Sequence, residues 1–237
     1  MPRTLSVVAL VPLLAVAAPV PKASPKLADL YGEPTDAKGD CTLEMGKRGV
    51  LTVTVPISHR AVDVRETDPL PPLAAKLVDG DFVATVRVAH SLPIAPGTAF
   101  PRRKLPPAPT VAAGLVAFAE GSKSYGVMAT VCRDWSKAEW GTTCLFLDAT
   151  PTVGGMSGVH PPGVKPDHPL YLRVSRRGEK VTQAWSADGE KWETKRTCEL
   201  AGPVLVGPVA FQSTDKEFAA TFDQYELKEL PKEKEEK

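Results

Sequence analysis

In window after window of this chain, apolar residues recur at every second position. That is the spacing of a strand with one face buried and the other wet. Val50-Leu51-Thr52-Val53-Thr54-Val55 alternates and stops at Pro56. Asp81 to Val88 alternates and follows the turn Asp79-Gly80. Leu170 to Ser175 alternates, Arg177-Gly178 ends it, and Lys180 to Trp185 returns. Tyr125 to Cys132, Val204 to Phe211 and Glu217 to Leu227 also read as strands. Ala113 to Phe118 is apolar throughout, as suits a strand covered on both faces. No window of helical length shows clean 3.6-residue spacing, and Ala28–Tyr31 and Leu73–Val78 leave room for short helical turns at most.

The prolines agree with this reading. The chain has 24 in 237 residues, about double the usual share of roughly 5%. Proline fits neither helix interiors nor central strands. The prolines largely spare the alternating windows and crowd into residues 93–109 and 151–169, two proline-rich loop insertions. The expected class is all-β: ten or so strands in a two-sheet antiparallel β-sandwich. No internal repeat points to a propeller or solenoid.

The first 18 residues, MPRTLSVVALVPLLAVAA, form a signal peptide by pattern. Arg3 is the positive start, Leu5 to Val16 the apolar stretch, and Ala15-Val16-Ala17 the small-x-small cleavage site. The stretch is shorter than the roughly 20 residues that span a bilayer, and no other run is apolar enough to cross one. The mature protein is therefore expected outside the cytoplasm, secreted or periplasmic. Residues 19–39 read as a linker and N-terminal extension, 40–228 as the sandwich domain, and 229–237 as a charged, disordered tail. A net charge of +1 argues against nucleic acid, whose phosphates demand a basic face.

Export also frames the cysteines. Cys41, Cys132, Cys144 and Cys198 are an even set for an oxidising compartment, with three possible pairings and no CxxC spacing that would suggest zinc. Cys132 and Cys144 flank a loop between two strand-like segments, which favours their pairing. Cys41–Cys198 then follows by elimination.

From Leu170 onward a further pattern emerges. It runs Leu170-Tyr171-Leu172-Arg173-Val174, a turn at Gly178, Val181 to Trp185, Ser186-Ala187-Asp188-Gly189 with Trp192, Val206-Gly207-Pro208-Val209-Ala210-Phe211, and Phe218 to Leu227. This order resembles the concanavalin A-like lectin/glucanase sandwiches, in particular the uncharacterised family related to the C-terminal domain of β-xylosidases. Gly80-Asp81-Phe82 and Ala113-Gly114-Leu115-Val116 extend the resemblance to roughly residues 40–228. It implies a jelly-roll sandwich. The Ser186–Gly189 segment reads as a hairpin whose aspartate caps its own turn, with Trp192 packed over it. Gly207 reads as a point of close backbone approach or a bulge.

Catalysis finds little support in the residues. Glucanases of this fold place carboxylates along one strand as E-x-D-x-x-E or E-x-D-x-E, and neither run occurs here. Glu139, Asp148, Asp223 and Glu226 do not form it. Asp223 and Glu226 are three apart, so a regular strand sends them to opposite faces. GxSxG and HExxH are absent, and His59, His90, His160 and His168 are scattered. No catalytic or metal-ligating set is expected, and no cofactor. Calcium is considered only at Asp223, without a DxDxDG loop to support it.

The best candidate for a ligand-facing patch is Arg133-Asp134-Trp135-Ser136-Lys137-Ala138-Glu139-Trp140-Gly141, between Cys132 and Cys144. Exposed aromatics stack on pyranose rings, and a few polar groups orient them. Trp135 and Trp140 are the proposed platforms, Arg133 and Asp134 their polar partners, and Tyr125 a weaker addition. The expected function is non-catalytic binding of carbohydrate or a glycoconjugate. The alternatives are a glycoside hydrolase-like enzyme with unrecognised carboxylates and a structural or envelope domain that meets another protein.

Overall fold

The computed structural model describes residues 25–36, 39–56, 72–89, 110–119, 126–134, 142–149, 157–159, 168–212 and 216–231. These hold one short helix, α1 (Pro25–Tyr31), and a single 3-10 turn at Lys47–Gly49. Along the first half of the chain run β1 (Glu33–Thr35), β2 (Thr42–Met45), β3 (Leu51–Val55), β4 (Leu73–Val78), β5 (Phe82–Val88), β6 (Thr110–Ala119) and β7 (Gly126–Asp134). The second half supplies β8 (Thr142–Ala149), β9 (Ser157–Val159), β10 (Leu170–Arg177), β11 (Lys180–Ser186), β12 (Glu193–Glu199), β13 (Val204–Gln212) and β14 (Phe218–Glu229). They form two seven-stranded sheets, ordered β1-β4-β13-β6-β7-β8-β9 and β12-β11-β10-β5-β14-β3-β2. Every strand pair is antiparallel. The expected sandwich is the observed one.

Alternation sets which residues fill the space between the sheets. Leu51, Val53 and Val55 of β3, Phe82, Ala84, Val86 and Val88 of β5, and Leu170, Leu172 and Val174 of β10 face inward from the second sheet. Val111, Ala113, Leu115 and Ala117 of β6 meet them from the first. The first sheet has a second, separate apolar cluster on its other face: Leu73, Ala75, Ala112, Val116, Phe118, Val209 and Phe211, all buried. Strand β6 is thus covered on both faces, as its unbroken apolar run implies. The same double coverage explains a correction. Leu73–Val78 was expected to be a helical turn at most, yet it is strand β4, with Leu73 and Ala75 on one face and Ala74 and Val78 on the other. A run buried on both sides loses its alternation, so its period cannot distinguish strand from helix.

Two further expectations are corrected. Residues 25–36, read as linker, belong to the sandwich. Leu27 and Tyr31 are in the main core, and β1 pairs with β4. Pro208 lies inside β13, a central strand. It fits because the β13–β4 ladder pauses at Gly207 and Pro208 and resumes in the same register at Val209–Leu73, so the N–H that proline lacks is not called on there. The reading of Gly207 holds: a Cβ there would lie 1.8 Å from the Ala74 carbonyl oxygen.

One end of the sandwich collects the functionally suggestive connections. In the first sheet, Asp134 lies opposite Thr110, and Val111 opposite Gln212. The Gln212 amide donates to the Val55 carbonyl at 3.0 Å and ties this end to the second sheet. There Leu170 lies opposite Val88, and Tyr171 opposite Ser186. Across the sandwich β11 packs against β7, and β12 against β8. The strand ends flanking residues 135–141 and the turn 187–192 therefore sit at the same end of two facing hairpins.

Candidate functional site

Of the expected ligand-facing residues, Arg133 and Asp134 fall in β7, while Tyr125, Trp135 and Trp140 lie outside the described residues. Residues 135–141 join β7 to β8, strands paired along their length with Asp134 opposite Thr142. The strands on either side of this segment are antiparallel neighbours, as the sequence suggested. Arg133 shares a register row with the inward-facing Val111, and Asp134 one with Thr110, so the two positions belong to opposite faces. Tyr125 adjoins Gly126, which starts β7 at the far end from Asp134. Eight steps at ~3.3 Å separate the two ends of β7 by roughly 26 Å.

The register sets Cys132 directly opposite Cys144. Either type of antiparallel pair puts Cα atoms roughly 4.5 or 5.5 Å apart, inside the ~4.4–6.8 Å that a disulfide spans. The other expected pairing is corrected. Cys41 is a buried thiol that donates to the Asp40 carboxylate at 3.6 Å, and it makes no disulfide. It adjoins β2 at one edge of the second sheet, whereas Cys198 lies on β12 at the opposite edge. Six interstrand steps of ~4.8 Å lie between them, several times the reach of a disulfide. Elimination by counting cannot see which edge a strand occupies.

Asp36, Asp40 and Cys41 bring one donor atom each to within 4.8 Å of one another. The Asp36 carboxylate accepts the Cys41 backbone N–H at 2.7 Å, and the Asp36 carbonyl accepts the Gly39 N–H at 3.2 Å. These bonds close the loop that leads into β2.

The turn between β11 and β12 is built as its sequence implies. Asp188 Oδ1 accepts the Ser186 hydroxyl at 2.9 Å and the backbone N–H groups of Glu190 at 2.8 Å and Lys191 at 2.9 Å. Ser186 Oγ accepts the Gly189 N–H at 2.8 Å. Trp192 Nε1 donates to the Gly189 carbonyl at 3.1 Å and folds the indole back over the turn. The donors around Asp188 hold its carboxyl down at about 2, against an ordinary value of 3.8. A carboxylate with a depressed pKa stabilises the fold above its unfolded pKa and loses that contribution as pH falls through the folded one. The melting-temperature gap between the wild type and Asp188→Asn is accordingly expected to narrow between pH about 4 and about 2. The effect is small at this exposed turn, and a gap constant across that range would contradict it.

The outward face of the second sheet is polar where that of the first is apolar and buried. Asp223 of β14 lies opposite Arg87 of β5, and Arg87 opposite Tyr171 of β10. Arg87 Nε donates to Asp223 Oδ1 at 2.6 Å while Nη2 donates to Oδ2, a two-pronged ion pair. The hydrogen bond to Asp223 holds the Arg87 pKa well above its ordinary value. Both oxygens of Asp223, the residue considered for calcium, thus already face a cation. Sequence reasoning also misplaced Glu226. A bulge between Asp223 and Glu226, with Gln224 at φ 50°, adds a residue to β14 and turns Tyr225 inward. Asp223 opposite Arg87 and Glu226 opposite Thr85 therefore share the outward face, although a regular strand would separate them. Glu226 pairs with Lys228 at 2.9 Å.

Sequence reasoning passed over Arg173. It lies on the outward face of β10 with its guanidinium carbon 3.6 Å from the centroid of the Trp192 ring. The signal was available, since alternation from Leu170 puts Tyr171, Arg173 and Ser175 together on the wet face.

Comparison with known proteins places this geometry. Residues 157–230 match the model of a protein family of unknown function, DUF1349. No curated protein matches the chain. A functionally unknown protein from Saccharomyces cerevisiae is similar in structure, with TM-score 0.57 and 17% identity over 81% of this chain and 97% of that one. So is a xylan β-1,4-xylosidase from Bacillus halodurans C-125, with TM-score 0.51 and 16% identity over 79% of this chain. This chain spans 34% of that xylosidase's length. A marine PL7 alginate lyase, AlyA1 from Zobellia galactanivorans, matches with TM-score 0.50 and 9% identity over 86% of this chain and 87% of that one. The chain is a concanavalin A-like sandwich whose residues 157–230 carry the pattern of DUF1349.

Proposed function

We propose that the protein is an exported, non-catalytic sandwich that binds carbohydrate or a glycoconjugate at the end of the fold where residues 135–141 join β7 to β8. One observation carries this reading: the β7–β8 hairpin, with Cys132 opposite Cys144, faces the β11–β12 hairpin across the sandwich. The four tryptophans of the chain lie on these two hairpins or their connections. Trp185 is buried in the core and Trp192 is half-buried on the outward face. Trp135 and Trp140 are the platforms of the proposal, Asp134 a polar partner, and a Cys132–Cys144 disulfide the clasp that holds their loop. Support for a saccharide comes from the fold shared with a xylosidase and an alginate lyase, whose names record polysaccharide chemistry. Support for a non-catalytic role comes from Asp223 and Glu226, which share a face but are each engaged by a cation. The leader 1–18 and the absence of a long apolar helix among the described residues fit export of the mature chain.

A glycan array probed with the mature protein tests the proposal. Wild type is expected to bind a defined glycan set, with signals lost in Trp135→Ala or Trp140→Ala while the melting temperature is kept. No binding to any glycan sinks the reading. Non-reducing mass mapping of the same preparation is expected to yield a Cys132–Cys144 peptide pair, and free thiols at both would remove the clasp.

A further inference from the structure

On the outward face of the second sheet the carboxylates nearest the middle strands, Asp223 and Glu226, are taken by Arg87 and Lys228. Arg173, diagonal to Arg87 across the β5–β10 pair, forms no ion pair with any described residue. Its Nε is buried and has no hydrogen-bond acceptor. Burial alone lowers its pKa, with no neighbouring acid acting on it. An arginine that merely solubilised this face would gain more by extending into water. Arg173 is instead held flat on Trp192, which the Gly189 carbonyl fixes in place. Such stacking leaves the in-plane donors of a guanidinium free to take a planar anion in a two-pronged fashion. The surroundings suit a sugar more than a bare ion. Thr85 lies directly opposite Arg173, and Ser175 opposite Thr182, all half-buried on the same face, with Tyr171 two residues before Arg173. Hydroxyls in that arrangement match the hydroxyls of a pyranose, and the aromatic rings match its apolar face.

We infer that Arg173, stacked on Trp192 and flanked by Tyr171, Thr85 and Ser175, is a binding site for the carboxylate of an acidic saccharide, a uronate unit of a glycan. The inference rests on the carbohydrate-binding reading above and adds to it a second contact surface and a ligand class.

The test is titration calorimetry of the mature protein with free-acid oligogalacturonate and oligoguluronate, against methyl-esterified oligogalacturonate and xylo-oligosaccharide. Wild type is expected to bind a free acid about tenfold or more tightly than the ester, with the preference shrinking at high salt. Arg173→Gln is expected to abolish that preference. Arg173→Lys keeps the charge but not the fork, and is expected to retain only part of it. Melting curves confirm that the variants fold, and the acid-against-ester comparison on wild type needs no variant at all. Equal affinity for acid and ester, or a folded Arg173→Gln that keeps the preference, would overturn the inference. Neutral glycans bound on the array with neither free acid bound overturns it alone, whereas no glycan bound in either assay overturns both readings.

Discussion

Gly207→Ala is expected to destabilise the sandwich by about 3 kcal/mol or more, at or beyond the upper end of overpacking costs. The added Cβ would lie 1.8 Å from the Ala74 oxygen, 2.8 Å from its carbonyl carbon and 2.8 Å from Ala75 Cα. All three are backbone atoms of β4, so no rotamer change can relieve the clash. Strand β4 would have to move off β13, and with it Leu73 and Ala75 of one cluster and Ala74 and Val78 of the other. Gly178→Ala is the control. A Cβ there meets nothing within 4 Å, and only its φ of 55° opposes the change, at ~1–2 kcal/mol. Urea unfolding of both variants measures the contrast. A Gly207→Ala protein as stable as Gly178→Ala would mean that β4 and β13 are not in such close contact.

Tyr31→Ala is the second large effect. Tyr31 is 0% exposed, stacks on Tyr225 with ring centroids 4.9 Å apart, and donates its hydroxyl to the Gly49 carbonyl at 2.6 Å. Burial pushes its phenol up to about 12, so it is neutral at any ordinary pH. Removing a fully buried aromatic costs ~3–5 kcal/mol, and a domain of this size loses ~2–4 °C per kcal/mol. The melting temperature is expected to fall by on the order of 10 °C. Tyr31→Phe keeps the stack and loses only the hydroxyl, for about 1 kcal/mol. The prediction also tests the fold boundary. If residues 25–36 were a linker, Tyr31→Ala would leave the melting temperature unchanged.

Much of the sandwich was legible in the sequence wherever one strand face is wet and the other dry. Strands β3, β5 and β10 fall on their alternating windows because Thr52, Thr54, Thr85 and Ser175 mark the outer face between inward aliphatics. Strand β4 was not legible, because covering both faces erases the alternation. Residues 25–36 were not legible either: α1 is a single short helix whose place depends on Tyr31 meeting Tyr225, far away in sequence. The hairpin turn at Ser186–Trp192 was read correctly because its bonds are local. Asp188, Ser186 and Gly189 satisfy one another within a few residues.

The candidate sites divide along the same line. Sequence spacing located the β7–β8 tip between Cys132 and Cys144 because a hairpin keeps its two strands adjacent in the chain. It could not assign Cys41 and Cys198, since only the order of strands in the sheet puts them at opposite edges. Nor could it foresee that one bulged residue, Gln224, would bring Asp223 and Glu226 to the same face, or that Arg173 would find Trp192 and no carboxylate. Alternation, read from the chain alone, determines an all-β sandwich because it acts through local backbone geometry; the proline count does not mark every loop, since the short edge strand β9 lies inside the proline-rich stretch 151–169 that reads as a loop insertion. Which charges meet on the outward face, which cysteines can join and which loops share one end are decided only in the folded protein. There, pairing between residues over a hundred positions apart, such as Arg87 and Asp223, sets every neighbour.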